Sequence, residues 1–243
     1  MRAETSRRDF LKQGAGLGAG LALASAGCST VGQQAKTDYF FEIIDSRRSV
    51  RQYKPTPVPE EHIIKILNAA KMAPTAGNRQ PWKFLVMQDA EKIKELKEET
   101  VSSRLKRSIG DEKLSEEEVA SRRKEIEDRQ AGIFSAPVYI GVLTDSEARF
   151  SQLNSHDGPL AAGYLCLAAR ALGYGTVYLT GSIPGDVFRK VANIPERYDV
   201  TCVIPLGIPE TSPETPEKKS LEDQIEILDT QYIIQKPLAS LAD

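Results

Sequence analysis

The chain has 243 residues, with 32 Lys and Arg against 34 Asp and Glu for a net charge of −2. That mildly acidic balance leaves no electrostatic footprint for nucleic acid and no polybasic membrane-binding segment. Its 2 histidines, His62 and His156, and its 3 cysteines lack metal-ligand spacing, so a zinc site or a Ser-His-Asp triad has little to be built from.

The N-terminal stretch Ser6-Arg7-Arg8-Asp9-Phe10-Leu11-Lys12 runs into the Gly-rich apolar segment Gly14 to Ala24. A basic region with adjacent arginines followed by a mild apolar run resembles a twin-arginine export signal. The run is shorter and weaker than the roughly 20 apolar residues that span a membrane. Two cleavage sites remain open. Ala24-Ser25-Ala26 suits an ordinary signal peptidase, and Ser25-Ala26-Gly27-Cys28 resembles a lipoprotein box in which Cys28 would carry the lipid. The expected organisation is a signal over 1–27, a tether over 28–37 and one domain over 38–243. Removing 1–27 takes away four basic and two acidic groups and leaves a net charge of −4. The expected location is the periplasm or the outer side of the cytoplasmic membrane, with a lipid on Cys28 as the one attachment to the bilayer.

The pattern beyond the tether alternates helix and strand. Asp38 to Asp45 reads as a short helix and Val50 to Lys54 as extended chain. Glu60 to Ala73 is a helix with Ile63, Ile64, Leu67 and Ala70 on one face, ended by Pro74. Trp82 to Met87 reads as a strand. Ala90 to Gln130 is a long, charged helical region split at Gly110-Asp111. Val138 to Thr144 reads as a buried strand, and Leu160 to Leu172 as a helix apolar nearly all round, capped by Gly173. A helix with no polar face needs cover on every side, and a second subunit is one source. Gly175 to Leu179 and Val200 to Leu206 are two more strands, with a helix over Asp186 to Ala192 between them. Pro209, Pro213 and Pro216 mark an extended stretch. The apolar tail from Ile225 to Ile234 suits an arm across a partner. Cys166 and Cys202 sit in apolar runs and read as buried free thiols, with a disulfide as the alternative in an exported chain.

Two segments carry the chemistry. Arg47-Arg48-Ser49-Val50-Arg51 crowds three guanidinium groups and a hydroxyl into five residues, and guanidinium forks match phosphate oxygens. Pro74-Thr75-Ala76-Gly77-Asn78-Arg79-Gln80-Pro81-Trp82-Lys83-Phe84 is a turn of small residues that lets a ring lie close to thin backbone, with Asn78 offering donor and acceptor. Together they suit a ligand with a phosphate at one end and a flat polar ring at the other.

The pair resembles the flavin mononucleotide (FMN) site of the nitroreductase family, whose patterns are R-x-S-x-R/K and P-S/T-x-x-N-x-Q-P-W-x-F. Asp157-Gly158-Pro159-Leu160-Ala161-Ala162 through Leu172-Gly173 resembles that family's interface helix, with Gly163 and Tyr164 standing where the family often has an amide pair. The resemblance implies an α+β fold, a central, mostly antiparallel sheet of four or five strands wrapped by helices, in an intertwined homodimer with two FMN sites. It implies that Arg47 and Ser49 face the phosphate and ribityl chain, with Arg48 contributing near its backbone. Arg51 would reach the pyrimidine edge, where a cation favours the anionic reduced ring. Pro74, Thr75, Ala76 and Asn78 would line the ring, with Gln80 supporting their turn. Ala76 stands where the family commonly has a second hydroxyl. Thr180 and Gly181 would lie beside N5, the hydride-exchanging atom, and Lys218 or Lys219 would reach the phosphate in place of the family's usual arginine. No side chain is assigned as catalytic, because the flavin carries the chemistry.

The activity implied is ping-pong electron transfer from a reduced small-molecule donor, NAD(P)H or a quinol, to a flat electron-poor acceptor such as a nitroaromatic or quinone. Two alternatives are a reductive dehalogenase of the same fold, with the charged 90–130 region as a substrate lid, and a flavin-carrying electron-transfer protein without a soluble substrate.

Overall fold

The structure is a computed structural model that describes residues 30–221, 223 and 224. The export signal, Cys28 and the Ile225 to Ile234 arm lie outside the described residues. The chain divides into two compact units, Ala35–Thr215 and a second made of Met1–Gln34 with Pro216–Asp243. In the second unit, Ser220 Oγ donates to Asp223 Oδ2 at 2.6 Å.

The elements in order are α1 (Thr30–Ser46), α2 (Glu60–Ala70), β1 (Trp82–Met87), α3 (Ala90–Ile109), α4 (Glu116–Ala131), β2 (Val138–Asp145), α5 (Asn154–Ala171), β3 (Gly175–Thr176), α6 (Gly185–Val191) and β4 (Tyr198–Gly207). The sheet order is β1-β2-β4-β3, and every pairing between these strands is antiparallel. The α+β architecture expected from the sequence is therefore present, with four strands.

Why β2 reads as a continuous apolar run is clear from its two faces. Side chains alternate along a strand. Val138, Ile140 and Val142 pack with Ile63, Ile66, Leu165 and Ile204, under α2 and α5. Tyr139 and Leu143 pack with Leu96, Phe188 and Val203, under α3 and α6. Each fully buried aliphatic or aromatic side chain contributes about 1.5–3 kcal/mol. At Gly141 the Phe188 ring lies where a side chain would begin, so only hydrogen fits there.

Local signals set the boundaries. Asp89 caps α3 by accepting from the Lys92 N–H at 2.9 Å, and Ser115 with Glu118 forms a capping box on α4. Gly110 breaks the charged region at φ 55°. Gly173, at φ 82°, ends α5 in the left-handed conformation that glycine adopts without strain.

Several expectations are corrected. α1 starts at Thr30, so its first turns occupy the stretch read as a tether. On α2 the buried face is Ile63, Ile66 and Ala70, while Ile64, about 100° round the helix, is 51% exposed. Helix α5 begins before Pro159, at Asn154. Proline there removes one backbone hydrogen bond. The extra turn is held instead by Asn154 Nδ2 donating to the Asp145 carbonyl at 2.9 Å and by an Arg79–Asp157 ion pair. β3 is only two residues long; beyond it Leu179 makes an isolated bridge to Val203.

Candidate functional site

The arginine segment lies along the outer edge of the sheet beside β3. Ser49 forms a parallel bridge with Thr176, and the Val50 N–H donates to the Thr176 carbonyl at 3.0 Å. The buried Tyr53 hydroxyl donates to the Val50 carbonyl at 2.5 Å, and the Tyr53 N–H donates to Ser135 Oγ at 2.9 Å. Burial pushes the Tyr53 phenol far above its usual value, so it stays a neutral donor here.

Two clefts flank this segment. One, of about 280 Å³, is lined by Arg47, Arg48, Arg170 and Thr176 among others. The other, of about 300 Å³, is lined by Ser49, Arg51, Arg129 and Thr211 among others. Arg48 is engaged with the chain itself, donating to the carbonyls of Asp45 (2.5 Å) and Arg47 (2.8 Å) and to the Thr215 hydroxyl. Arg51 is exposed and makes one long bond, to the Ser49 carbonyl at 3.3 Å.

The 74–80 turn has three residues in left-handed conformation, Gly77 (φ 61°), Asn78 (φ 52°) and Gln80 (φ 49°). Non-glycine residues enter that region at a cost. Here the turn's own bonds hold them. The Asn78 N–H donates to the Thr75 carbonyl at 3.0 Å, and the Gln80 N–H donates to Thr75 Oγ1 at 3.2 Å. Gln80 Nε2 also donates to Asn78 Oδ1 at 3.3 Å. Ala76 is half-buried, whereas Pro74 and Asn78 are exposed. Trp82 is half-buried at the start of β1.

What the sequence reading passed over is how the turn is anchored. Arg79 pairs with Asp157 in the first turns of α5, with both side chains nearly buried (8% and 5% exposed). Arg79 also donates to the Arg149 carbonyl at 2.6 Å, and the Ala76 N–H reaches Asp157 Oδ1 at 3.4 Å. Arg79 was legible as a charge inside an otherwise small and polar turn, but its partner lies far along the chain.

Thr180 and Gly181 are both exposed, and a side chain added at Gly181 would meet nothing within 4 Å. The Gly181 N–H donates to no group among the described residues. Its carbonyl, and that of Ser182, accept from Arg104 of α3. Lys218 is exposed and belongs to the second unit.

Within one chain the turn and the arginine segment are anchored towards opposite ends of α5. The Ser49–Thr176 bridge is isolated: by Tyr53 the segment pairs antiparallel with Pro209, and Arg51 lines its cleft with Asp128, Gly132 and Thr211. The turn, by contrast, is tied to Asp157 at one end of α5. The arginine segment adjoins Ser46, which accepts from Arg170 at the other end at 3.0 Å. Thirteen helical residues separate those anchors, or about 20 Å along the axis. From His156 onward α5 shows solvent a stripe of His156, Leu160, Gly163 and Tyr164.

The two expected thiols, Cys166 and Cys202, are both free and buried. Burial raises the pKa of both. No cluster of three or more His, Cys, Asp or Glu side chains that could hold a metal occurs among the described residues.

Similarity to known proteins agrees with this architecture. A Methanothermobacter thermautotrophicus protein, provisionally named NADH dehydrogenase/NAD(P)H nitroreductase, is 32% identical over 189 residues, covering 76% of this chain and 84% of its own. Iodotyrosine deiodinase of Thermotoga neapolitana is 32% identical over 179 residues, covering 70% and 88%. A crystal structure of a nitroreductase with bound FMN from Desulfitobacterium hafniense shares the fold at a TM-score of 0.59 and 24% identity, covering 79% of this chain and 98% of that one. With the nitroreductase family model matching residues 44–208, across the arginine edge, the anchored turn and the whole sheet, the chain belongs to the nitroreductase family.

Proposed function

We propose that the chain is an FMN-dependent oxidoreductase that acts as a homodimer. The observation that carries this reading is the Ser49–Thr176 bridge, which holds a segment of three arginines and a serine on the sheet edge between two clefts. The residues present fit the flavin. Arg47 and the Ser49 hydroxyl would hold the phosphate and ribityl chain, with Arg48 contributing near its backbone. Arg51 would sit at the pyrimidine edge, and the Gly181 N–H would point to N5. When bound, FMN supplies the electron transfer; the chain binds it, orients it and leaves one face open for donor and acceptor in turn.

The 20 Å separation along α5 argues for two chains. A second copy packed antiparallel against the exposed α5 stripe would set the Thr75–Gln80 turn of one protomer beside the arginines of the other. Asn78 would then meet the ring across the interface, and each site would draw on both subunits.

The donor is a reduced nicotinamide or a quinol, and the acceptor a flat, electron-poor compound such as a nitroaromatic or quinone. If residues 1–27 act as a twin-arginine signal, the folded, flavin-loaded protein works outside the cytoplasm. There nicotinamide is scarce, and a quinol becomes the favoured donor. Anaerobic titration with NADH, NADPH and a quinol, following the flavin absorbance, tests the reading. Bleaching by one donor within seconds supports it. A colourless protein that takes up no added FMN overturns it, and bound FMN that no donor reduces points to electron transfer without a soluble substrate.

A second reading is reductive dehalogenation of a halogenated aromatic. It is favoured by relatives named iodotyrosine deiodinase, including the Thermotoga neapolitana protein. Halide release from an iodinated phenol by the chemically reduced protein distinguishes it.

A further inference from the structure

Helix α3 was expected as part of a charged lid, yet its inner half is fixed. Leu96 and Thr100 are fully buried, and Lys190 Nζ of α6 meets Glu99 Oε2 at 2.8 Å. Leu96, Thr100 and Arg104 are spaced four residues apart, so they lie on one face of the helix. Arg104 is the outermost of the three and is half-buried. Its guanidinium reaches two successive carbonyls, Nε donating to Ser182 at 3.2 Å and Nη2 to Gly181 at 3.3 Å.

Those two bonds are the only ones made to residues 180–182 among the described residues. On one side of the loop, Leu179 is held by paired backbone bonds to Val203 at 3.1 and 3.0 Å. On the other, α6 begins at Gly185. Between these fixed points the loop is exposed, and its glycine has no steric preference of its own. Its conformation therefore depends on a fork from a different element. That fork also brings a permanent positive charge to the loop, since arginine stays protonated.

We propose that Arg104 is a positioning residue for the flavin. It holds the Gly181–Ser182 backbone against α3, so that the loop keeps one orientation towards the isoalloxazine edge. Its charge at that edge favours the reduced ring, which gains two electrons and one proton and carries a negative charge. The inference rests on the FMN reading above. It adds a residue outside the two segments that would hold the flavin, and it makes the C-terminal half of α3 a determinant of redox poise.

The test uses the FMN-loaded protein with Arg104→Gln and Arg104→Lys. Three quantities are read: the flavin midpoint potential, amide hydrogen exchange across 179–184, and FMN affinity of the stripped protein. For Arg104→Gln, the ratio of reduced to oxidised flavin at a fixed potential should fall about tenfold, equivalent to about 30 mV for a two-electron couple. Exchange in the loop should rise. For Arg104→Lys, most of the potential should return while the loop stays loosened, because lysine keeps the charge without the planar fork. FMN affinity should change by no more than about threefold, since the phosphate contacts are untouched.

If Arg104→Gln shifts neither potential nor loop exchange, the proposal is wrong. Loosening of the whole of α3 with an unchanged potential would also overturn it, because that marks a purely structural contact. A wild-type protein that binds no FMN would instead overturn the reading it rests on, and this inference with it.

Discussion

Arg79 and Asp157 form a buried ion pair that ties the left-handed 75–80 turn to the first turns of α5. A buried pair adds little net stability, because desolvation offsets the attraction, yet removing one partner leaves an uncompensated charge. Arg79 is already in deficit, with Nε buried and unpartnered. Asp157→Ala should therefore destabilise the protein by about 3–5 kcal/mol. Denaturant unfolding measures this, and a loss below about 1 kcal/mol would show that the pair is solvated in solution.

Arg47 and Arg48 are neighbours with different work. Arg48 spends its donors on the Asp45 and Arg47 carbonyls and on Thr215. Arg51 has one long bond, and Arg47 lines the cleft beside Arg170. The double change Arg47→Ala with Arg51→Ala should lower FMN affinity by about two to four orders of magnitude, at about 1.5–3 kcal/mol for each charged hydrogen bond lost. Arg48→Ala should instead weaken FMN by less than tenfold and lower the unfolding midpoint. Equal FMN losses in the two proteins would refute that division. Fluorescence quenching of FMN and thermal melts separate the outcomes.

Part of this site was legible in the sequence and part was not, for a physical reason. Local signals announce themselves: the apolar run of β2, the Gly110 break and the Gly173 cap each depend on a few adjacent residues. The arginine cluster was legible because its charge density is local. The long-range anchors were not. Nothing near Arg79 names Asp157, and nothing near Arg104 names the 181–182 carbonyls. The length of β3 depended on pairing with β4, and the start of α5 on the bond that Asn154 donates to Asp145 and on the Arg79–Asp157 pair, which outweigh the proline.

Acid should act through Asp145. Two bonds from Arg197, one from Nε at 3.1 Å, hold its carboxyl below the usual value. A depressed carboxylate contributes stability that is present above its unfolded value of about 3.9 and is lost as pH falls through the lower folded value. Arg197→Gln should therefore be less stable than the parent near neutral pH, and the gap should close below about pH 3. Melting both proteins across that range checks the sign; a gap that widens in acid would contradict it.

The thiols give a simple test of burial. Cys166 and Cys202 are buried, with pKa values raised by desolvation, so little thiolate exists at mildly alkaline pH. A thiol reagent at about pH 8 should leave both unmodified in the native protein and label both in denaturant. Rapid labelling of the native protein would show that the α5–β4 contact opens.

Gly163 offers the sharpest test of the two-chain site. It lies on the exposed stripe of α5 between Leu160 and Tyr164, and a side chain there meets nothing within 4 Å in its own chain. Gly163→Arg is therefore compatible with the protomer fold, and replacing a mid-helix glycine relieves a backbone entropy cost of about 0.5–1 kcal/mol. In an antiparallel pairing of α5 helices the same side chain would fall into the contact and bury an unpaired charge. The variant should be a folded monomer that has lost FMN, even though Arg47, Ser49, Arg51 and Gly181 are all intact, because the turn that completes each site belongs to the other chain. Light scattering with flavin content reads both outcomes together. A monomer that keeps FMN at parental affinity would place the whole site in one chain, and a flavin-loaded dimer would move the interface away from α5.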